Sequence, residues 1–244
     1  MSIHLINLDR STERLAEFKA ANPHLENVRR FSAIDGYRQD IAALVKSGIF
    51  EAGVAEGYTP GALGAALSHL ALWEEAIAAG QDVTICEDDA IFNRHFAATA
   101  ARVIGALPPD WDFILWGWNF DSYLLFDLPG GVSPCLCCFD EEQMRAAVAP
   151  FQDQAVTPQA FRLRRALGIP CYSISPKGAR ALKAACLPLA RIKVHFPGLN
   201  RHLPNFGIDV MMNNAYPQIS AFVSFPPLVI TRNEIRKSTV QTDP

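Results

Sequence analysis

The sequence predicts an α/β fold with a mostly parallel central sheet flanked by helices. A buried strand, a polar turn and a helix open the chain, "IHLINL" followed by "RSTERLAEFKAA". The same order recurs where "DVTIC" leads through three carboxylates to another helical stretch. Successive strand–helix units bury both faces of a sheet, which favours parallel strands. At 244 residues, with no evident linker or repeat, the chain reads as one domain with a substantial core.

Residues 3–8 form the first predicted strand, which ends at Asp9, and Asp9 or Ser11 can cap the following helix. Asn7, Asp9, Arg10 and Arg14 then gather at the strand's C-terminal edge, where open α/β sheets bind ligands. Capping and solvation explain each of them equally well alone. "VRRFSAIDG" reads as a second strand ending in an Asp-Gly turn, followed by a loop-rich stretch with a helix near 39–47. Over 59–80, Thr59 caps a helix, Pro60 suits its first position and Gly80 suits its end. Leu63, Leu67, Leu70, Trp73 and Ile77 make its buried stripe. Gly61, Gly64, Ala65 and Ser68 leave another face small, open to close approach by a backbone or a ligand, and Ser68 and His69 lie mid-helix. Further strands are expected at 83–86, 111–117 and 168–175, and up to Ile230, with helices after Asn93 and over 175–187.

The net charge of −3 conceals an asymmetry: no acidic residue lies between Asp153 and Asp209, an interval holding nine arginines and lysines. Such a segment predicts a positive field suited to a phosphorylated substrate, an anionic glycolipid or a bilayer surface. An acidic pI of about 6.1 and the lack of a recognition motif argue against nucleic acid as a partner. The six cysteines, including "CLCC" at 135–138, are expected to be buried reduced thiols rather than disulfides or zinc ligands. "MSIHLINLDR" reaches a charge too soon for a signal peptide or membrane anchor, and no apolar run nears the roughly 20 residues of a spanning helix. A cytoplasmic protein is the expectation, and the basic interval suits peripheral contact with the inner face of a membrane.

Glu87, Asp88 and Asp89 admit three readings: a solvated turn, helix caps, or a divalent cation site. Hard carboxylate oxygens suit Mg²⁺ or Mn²⁺, which bind one or two carboxylates together with substrate phosphates. Acid-x-acid spacing at a strand exit sends Glu87 and Asp89 to one side and Asp88 elsewhere. No GxxxxGK[ST] loop supports nucleoside-triphosphate chemistry.

Four blocks, "INLDRSTERL", "GALGAALSHLALWEEAI", "CEDDAIF" and "CYSISPKGARAL", occur in an order and spacing that resembles glycosyltransferase family 25. These enzymes act in lipopolysaccharide and lipooligosaccharide synthesis and include β-galactosyltransferases. The resemblance spans roughly residues 3–185. It implies a GT-A-like fold with a Rossmann-like nucleotide-sugar half (1–120) and an acceptor half (121–244). It also implies inverting transfer, a divalent metal, a nucleotide-sugar donor such as UDP-galactose, and a glycan or glycolipid acceptor. By position, Asn7, Asp9, Arg10, Arg14, Gly64, Ser68, His69 and Asp88 fall on the donor side. Glu87 and Asp89 become the metal ligands, and Tyr172, Ser175 and Gly178 match the later block. Inverting transfer needs a general base apart from the metal. Asp209, the first acid after the basic interval, is the leading candidate, held ionised by nearby positive charge, and Asp121 is the reserve. A catalytically silent sugar-binding relative and a metal-dependent phosphohydrolase remain as rival readings.

Overall fold

The computed structural model describes residues 2–54, 57–119 and 123–232. The opening unit is β1 (Ile3–Asn7), α1 (Thr12–Ala21) and β2 (Val28–Ser32), followed by the short α2 (Ile41–Lys46). The long α3 (Pro60–Ala79) leads to β3 (Val83–Glu87), β4 (Ala90–Phe92), α4 (Phe96–Gly105) and β5 (Phe113–Gly117). A hairpin of β6 (Leu124–Asp127) and β7 (Pro134–Cys137) precedes α5 (Glu141–Ala146) and α6 (Val148–Asp153). Next come β8 (Gln159–Ala166), β9 (Cys171–Ile174) and α7 (Pro176–Cys186). The hairpin β10 (Lys193–Phe196) and β11 (Arg201–Pro204), α8 (Ile208–Met212), β12 (Ala221–Phe225) and β13 (Val229–Thr231) complete the order.

Among the described residues, nine strands form one sheet in the order β2-β1-β3-β9-β5-β12-β8-β6-β7. β1 runs parallel to β2 and β3, and β12 parallel to β5. The sheet is nevertheless mixed, which corrects the expectation of a mostly parallel one. β9 lies antiparallel between β3 and β5, and β8, β6 and β7 are antiparallel to their neighbours. Residues 128–133 are too few for the crossover that parallel pairing of β6 and β7 would require.

Alternate residues of the central strands feed two cores. Ile85, Phe113, Leu115 and Tyr172 pack with Leu67 and Trp73 of α3 and with Leu182 of α7. Leu5, Ile114 and Trp116 face the other way, onto Phe18 of α1 and Phe96 and Val103 of α4. Helices therefore cover both faces, as expected. Thr59 Oγ1 accepts from Ala62 N at 3.0 Å, Gly80 ends α3 in the left-handed region, and Ser175 Oγ accepts from Gly178 N at 3.0 Å. Neither predicted cap of α1 works through its side chain: Ser11 makes no such bond, and Asp9 instead accepts from Arg30 and Ser32.

Two further expectations change. Cys86, Cys171 and Cys186 are buried, but Cys135 and Cys137 are half-buried and Cys138 is exposed, because β7 is an edge strand; all six thiols are free. The basic interval is partly neutralised by acids from elsewhere in the chain: Lys183 pairs with Glu74, Lys177 with Asp112 at 3.1 Å, and Arg164 with Asp127 at 2.5 Å. Among the described residues no helix is long and apolar enough to cross a membrane.

Candidate functional site

β1 and β3 are parallel neighbours, so their C-terminal ends lie side by side, with Ile6 opposite Glu87. Such an edge is the usual ligand crevice of an open α/β sheet. β3 stops at Glu87, and the turn to β4 distributes the three carboxylates among three environments.

Asp88 turns toward β1 and α1. Asn7 Nδ2 donates to its Oδ2 at 2.8 Å, and Arg14 Nε donates to its Oδ1 at 2.8 Å, with Arg14 Nη2 closing the fork. Both oxygens are thereby engaged. Asn7 is almost fully buried and is itself held by Arg30, whose Nε donates to Asn7 Oδ1 at 3.0 Å and whose Nη2 reaches Asp9 Oδ1 at 2.5 Å. Arg10 is an exposed partner of Asp35. Arg30 escapes the sequence reading. Its signal is a pair of consecutive arginines, Arg29 and Arg30, on a strand that is otherwise apolar enough to join the sheet.

Glu87 faces α3. His69 Nε2 lies 3.4 Å from Glu87 Oε1, while His69 Nδ1 is 2.8 Å from the Tyr172 hydroxyl. That hydroxyl also accepts from Trp73 Nε1 at 2.8 Å. An indole N–H can only donate, so the hydroxyl keeps its own proton for Nδ1, and we assign His69 the Nε2–H tautomer directed at Glu87. Burial lowers the His69 pKa to about 4, against the opposing charge of Asp209, so the ring is neutral at pH 7. Trp73 reads from sequence only as core. A buried Trp requires a partner for its N–H, and here that partner is Tyr172.

Asp89 lies against β13, where Thr231 hydrogen-bonds its carboxylate, yet Asp89 Oδ1 is buried with no hydrogen-bond partner. Burial, then the charge of Glu87, raises its pKa to about 7 despite Arg14. Glu87 is raised to about 8 by burial, then by Asp209 and Asp88, again against Arg14, although a third of its side chain stays open to solvent. Near neutral pH both carboxylates are therefore protonated in a large fraction of molecules, where ordinary acids are fully ionised. Such a pair can exchange a proton or take up a cation.

Asp209 opens α8 on the same side, close enough for its charge to act on both Glu87 and His69. Its Oδ2 accepts from Gly168 N at 3.1 Å and its Oδ1 from Val210 N at 2.9 Å. Burial raises its pKa, and these backbone N–H groups oppose that shift. Backbone dipoles, rather than the cationic side chains expected from sequence, stabilise its charged form. Asp121, the reserve candidate, lies outside the described residues.

The small face of α3 receives backbone. A Cβ on Gly64 would lie 2.4 Å from Ile34 O, and Ser68 Oγ accepts from Ile34 N at 2.9 Å while donating to Gly64 O at 2.7 Å. Gly64 and Ser68 thus dock the loop after β2 against the helix that carries His69. Gly64→Ala should destabilise the protein by about 2 kcal/mol through overpacking. Thermal melts will check this, and a melting temperature equal to the parent's would contradict the packing argument. Among the described residues no three His, Cys, Asp or Glu side chains form a ready-made metal cage.

Comparison with known proteins bears on the family of the chain. The sequence is 33% identical over 125 residues to a "Glycosyltransferase 25 family member" of Aedes aegypti, covering 47% of this chain and 21% of the relative. The chain thus spans about a fifth of that relative's length. The solved structure of A197 from STIV is 10% identical, with 100% of this chain and 96% of that one covered and a TM-score of 0.34, too slight a likeness to bear an argument. A profile of the family described as "Glycosyltransferase family 25 (LPS biosynthesis protein)" matches residues 1–194, which include every element around the carboxylates except α8 and β13. On the extent of that match, the chain belongs to glycosyltransferase family 25.

Proposed function

We propose that the protein is a metal-assisted, inverting glycosyltransferase with a GT-A-like donor half. It would move a hexose, with galactose the first candidate, from a nucleoside diphosphate sugar to a hydroxyl of a lipopolysaccharide-type glycan. The observation that carries this reading is the Glu87–Asp89 pair, two carboxylates with raised pKa values, one of them with a buried oxygen that nothing satisfies. Two carboxylates without a third protein ligand suit Mg²⁺ or Mn²⁺, which fill their remaining positions with water and substrate phosphate. Such an ion would neutralise negative charge on the departing diphosphate.

The chain's own residues supply the rest. Asp89 and Glu87 would hold the cation, and Asp88 belongs to the scaffold, keeping α1 and β1 in register with them. Trp73 and Tyr172 fix the His69 tautomer, so a neutral N–H steadies Glu87. Asp209 takes the proton of the acceptor hydroxyl as the new C1–O bond forms and the bond from C1 to the diphosphate oxygen breaks, with inversion at C1. Its raised pKa brings it nearer to the value that suits a base at neutral pH.

The test is a thermal-shift screen of UDP-sugars with and without Mn²⁺, followed by transfer and donor-hydrolysis assays. A matching donor with Mn²⁺ should raise the melting temperature by several degrees. Asp209→Asn should keep that protection and lose roughly 10²–10⁴-fold in transfer. Protection without turnover would instead identify a sugar-binding relative. Phosphate release from a simple phosphoester without any sugar would identify a phosphohydrolase.

A further inference from the structure

The sheet's far end carries a second concave site, a groove of about 550 Å³ between the β6–β7–β8 face and the turn of the β10–β11 hairpin. Two contacts hold the hairpin turn against the sheet. The Tyr123 hydroxyl donates to Pro197 O, and Gly198, at φ +86, sits so close that a Cβ would lie 2.7 Å from Leu136. Among the described residues, Arg162, Arg164 and Arg165 line the groove against a single carboxylate, Asp127. The guanidiniums are held in place. Arg164 Nε donates to Asp127 at 2.5 Å, and Arg162 Nη2 donates to Ile219 O at 2.9 Å while lying over Phe222. Arg165 Nη1 donates to Asn213 O at 2.9 Å. The hairpin whose turn borders the groove carries Lys193 and Arg201 outside the lining and contains no acid.

Three cations and one anion give the described lining a net charge near +2, which matches a phosphate monoester dianion. Guanidinium forks bind phosphate through paired N–H donors. The remaining walls, from Leu125, Pro134, Leu136 and Pro197, offer C–H surface and no aromatic ring on which a nucleobase would stack. The volume falls within the range of small-molecule sites. Arg165 is also tied to α8, the helix that carries Asp209: the Asn213 carbonyl accepts from Arg165, and Asn213 Nδ2 donates to the main-chain carbonyl of Asp209 at 2.8 Å. We infer that this groove binds a phosphorylated sugar. Given the glycosyltransferase reading, that sugar is a phosphate-bearing unit of the acceptor, anchored beside α8 so that a neighbouring hydroxyl reaches Asp209.

The binding test needs no turnover. The ¹⁵N-labelled full chain is titrated with glucose 1-phosphate, glucose and glucuronate. Glucose 1-phosphate should shift the amides of Leu125, Leu136, Arg164 and Gly198 saturably, and glucose should not. The double variant Arg162→Gln/Arg164→Gln should weaken that binding about tenfold or more, whereas Arg29→Gln on β2 should leave it unchanged. Absence of saturable shifts in the groove, shifts confined to Glu87–Asp89, or equal binding by the double variant would overturn the assignment. Glucuronate binding as tightly as glucose 1-phosphate would refute phosphate selectivity. Arginine-dependent binding to phosphatidylglycerol vesicles, with no groove shift from glucose 1-phosphate, would transfer the site to a membrane role. UDP-sugar protection of the double variant is measured in parallel, so failure of the groove and failure of the donor site give different results.

Discussion

Asp89→Asn is expected to give a folded protein whose sugar transfer falls by roughly a thousandfold or more, the scale of losing a principal electrostatic contact in the transition state. The amide is nearly isosteric and can keep the Thr231 contact, so packing is preserved. The carboxylate it replaces is one that burial and Glu87 already hold against ionisation, with a pKa of about 7. Without metal, the variant should therefore melt at or above the parent temperature near pH 8, where the parent carries a mostly ionised Asp89 beside a partly ionised Glu87. Mn²⁺-dependent protection by a UDP-sugar should disappear with activity. Transfer near the parental rate from a folded Asp89→Asn protein would falsify the metal assignment.

Arg14→Gln is expected to produce the largest loss of stability, about 3 kcal/mol, because it leaves a largely buried Asp88 without its cation. Arg14 also lowers the pKa values of Glu87 and Asp89, so its loss is felt by all three acids. The pH dependence has a definite sign. An unfolded chain releases the Glu87 and Asp89 protons near 4.5 and 3.8, whereas the folded protein holds them to about 8 and 7. Ionisation of these groups therefore destabilises the metal-free fold progressively between about pH 4 and pH 8. Removing Arg14 raises both folded values further, so the deficit of the variant should widen from pH 5 to pH 8. Urea melts at the two pH values will measure it. A deficit that narrows with rising pH would contradict Arg14's role as counter-ion to the triplet.

The parts of this site legible in the sequence are those set by local chemistry. The parallel β1–β2–β3 unit follows from apolar runs interrupted by helices, and the caps of α3 and α7 follow from Thr59, Pro60, Gly80, Ser175 and Pro176. The carboxylates stand where a buried strand has to end. What could not be read depends on partners distant along the chain. β9 is buried on both faces, as a parallel strand would be, so nothing local marks its direction. The engagement of Asp88 by Asn7 and Arg14 depends on the turn after Glu87 rather than on strand alternation. Trp73 looks like core because its one polar atom finds Tyr172 only through the β3–β9 pairing. The basic interval looks more positive in one dimension than in three, since Glu74, Asp112 and Asp127 come from other segments.

The position of β9 also governs the order of assembly. β3 and β5 are made early, but the strand that joins them comes more than fifty positions after β5 and must slot between them. Until residue 174 has emerged during synthesis, each presents an unsatisfied edge, a template for the wrong neighbour. Closure relies on contacts remote in sequence and should be slow relative to the local hairpins. A nascent chain halted before β9 would carry the carboxylates but no assembled site, because Tyr172, and with it the fixed orientation of His69, arrives on the closing strand.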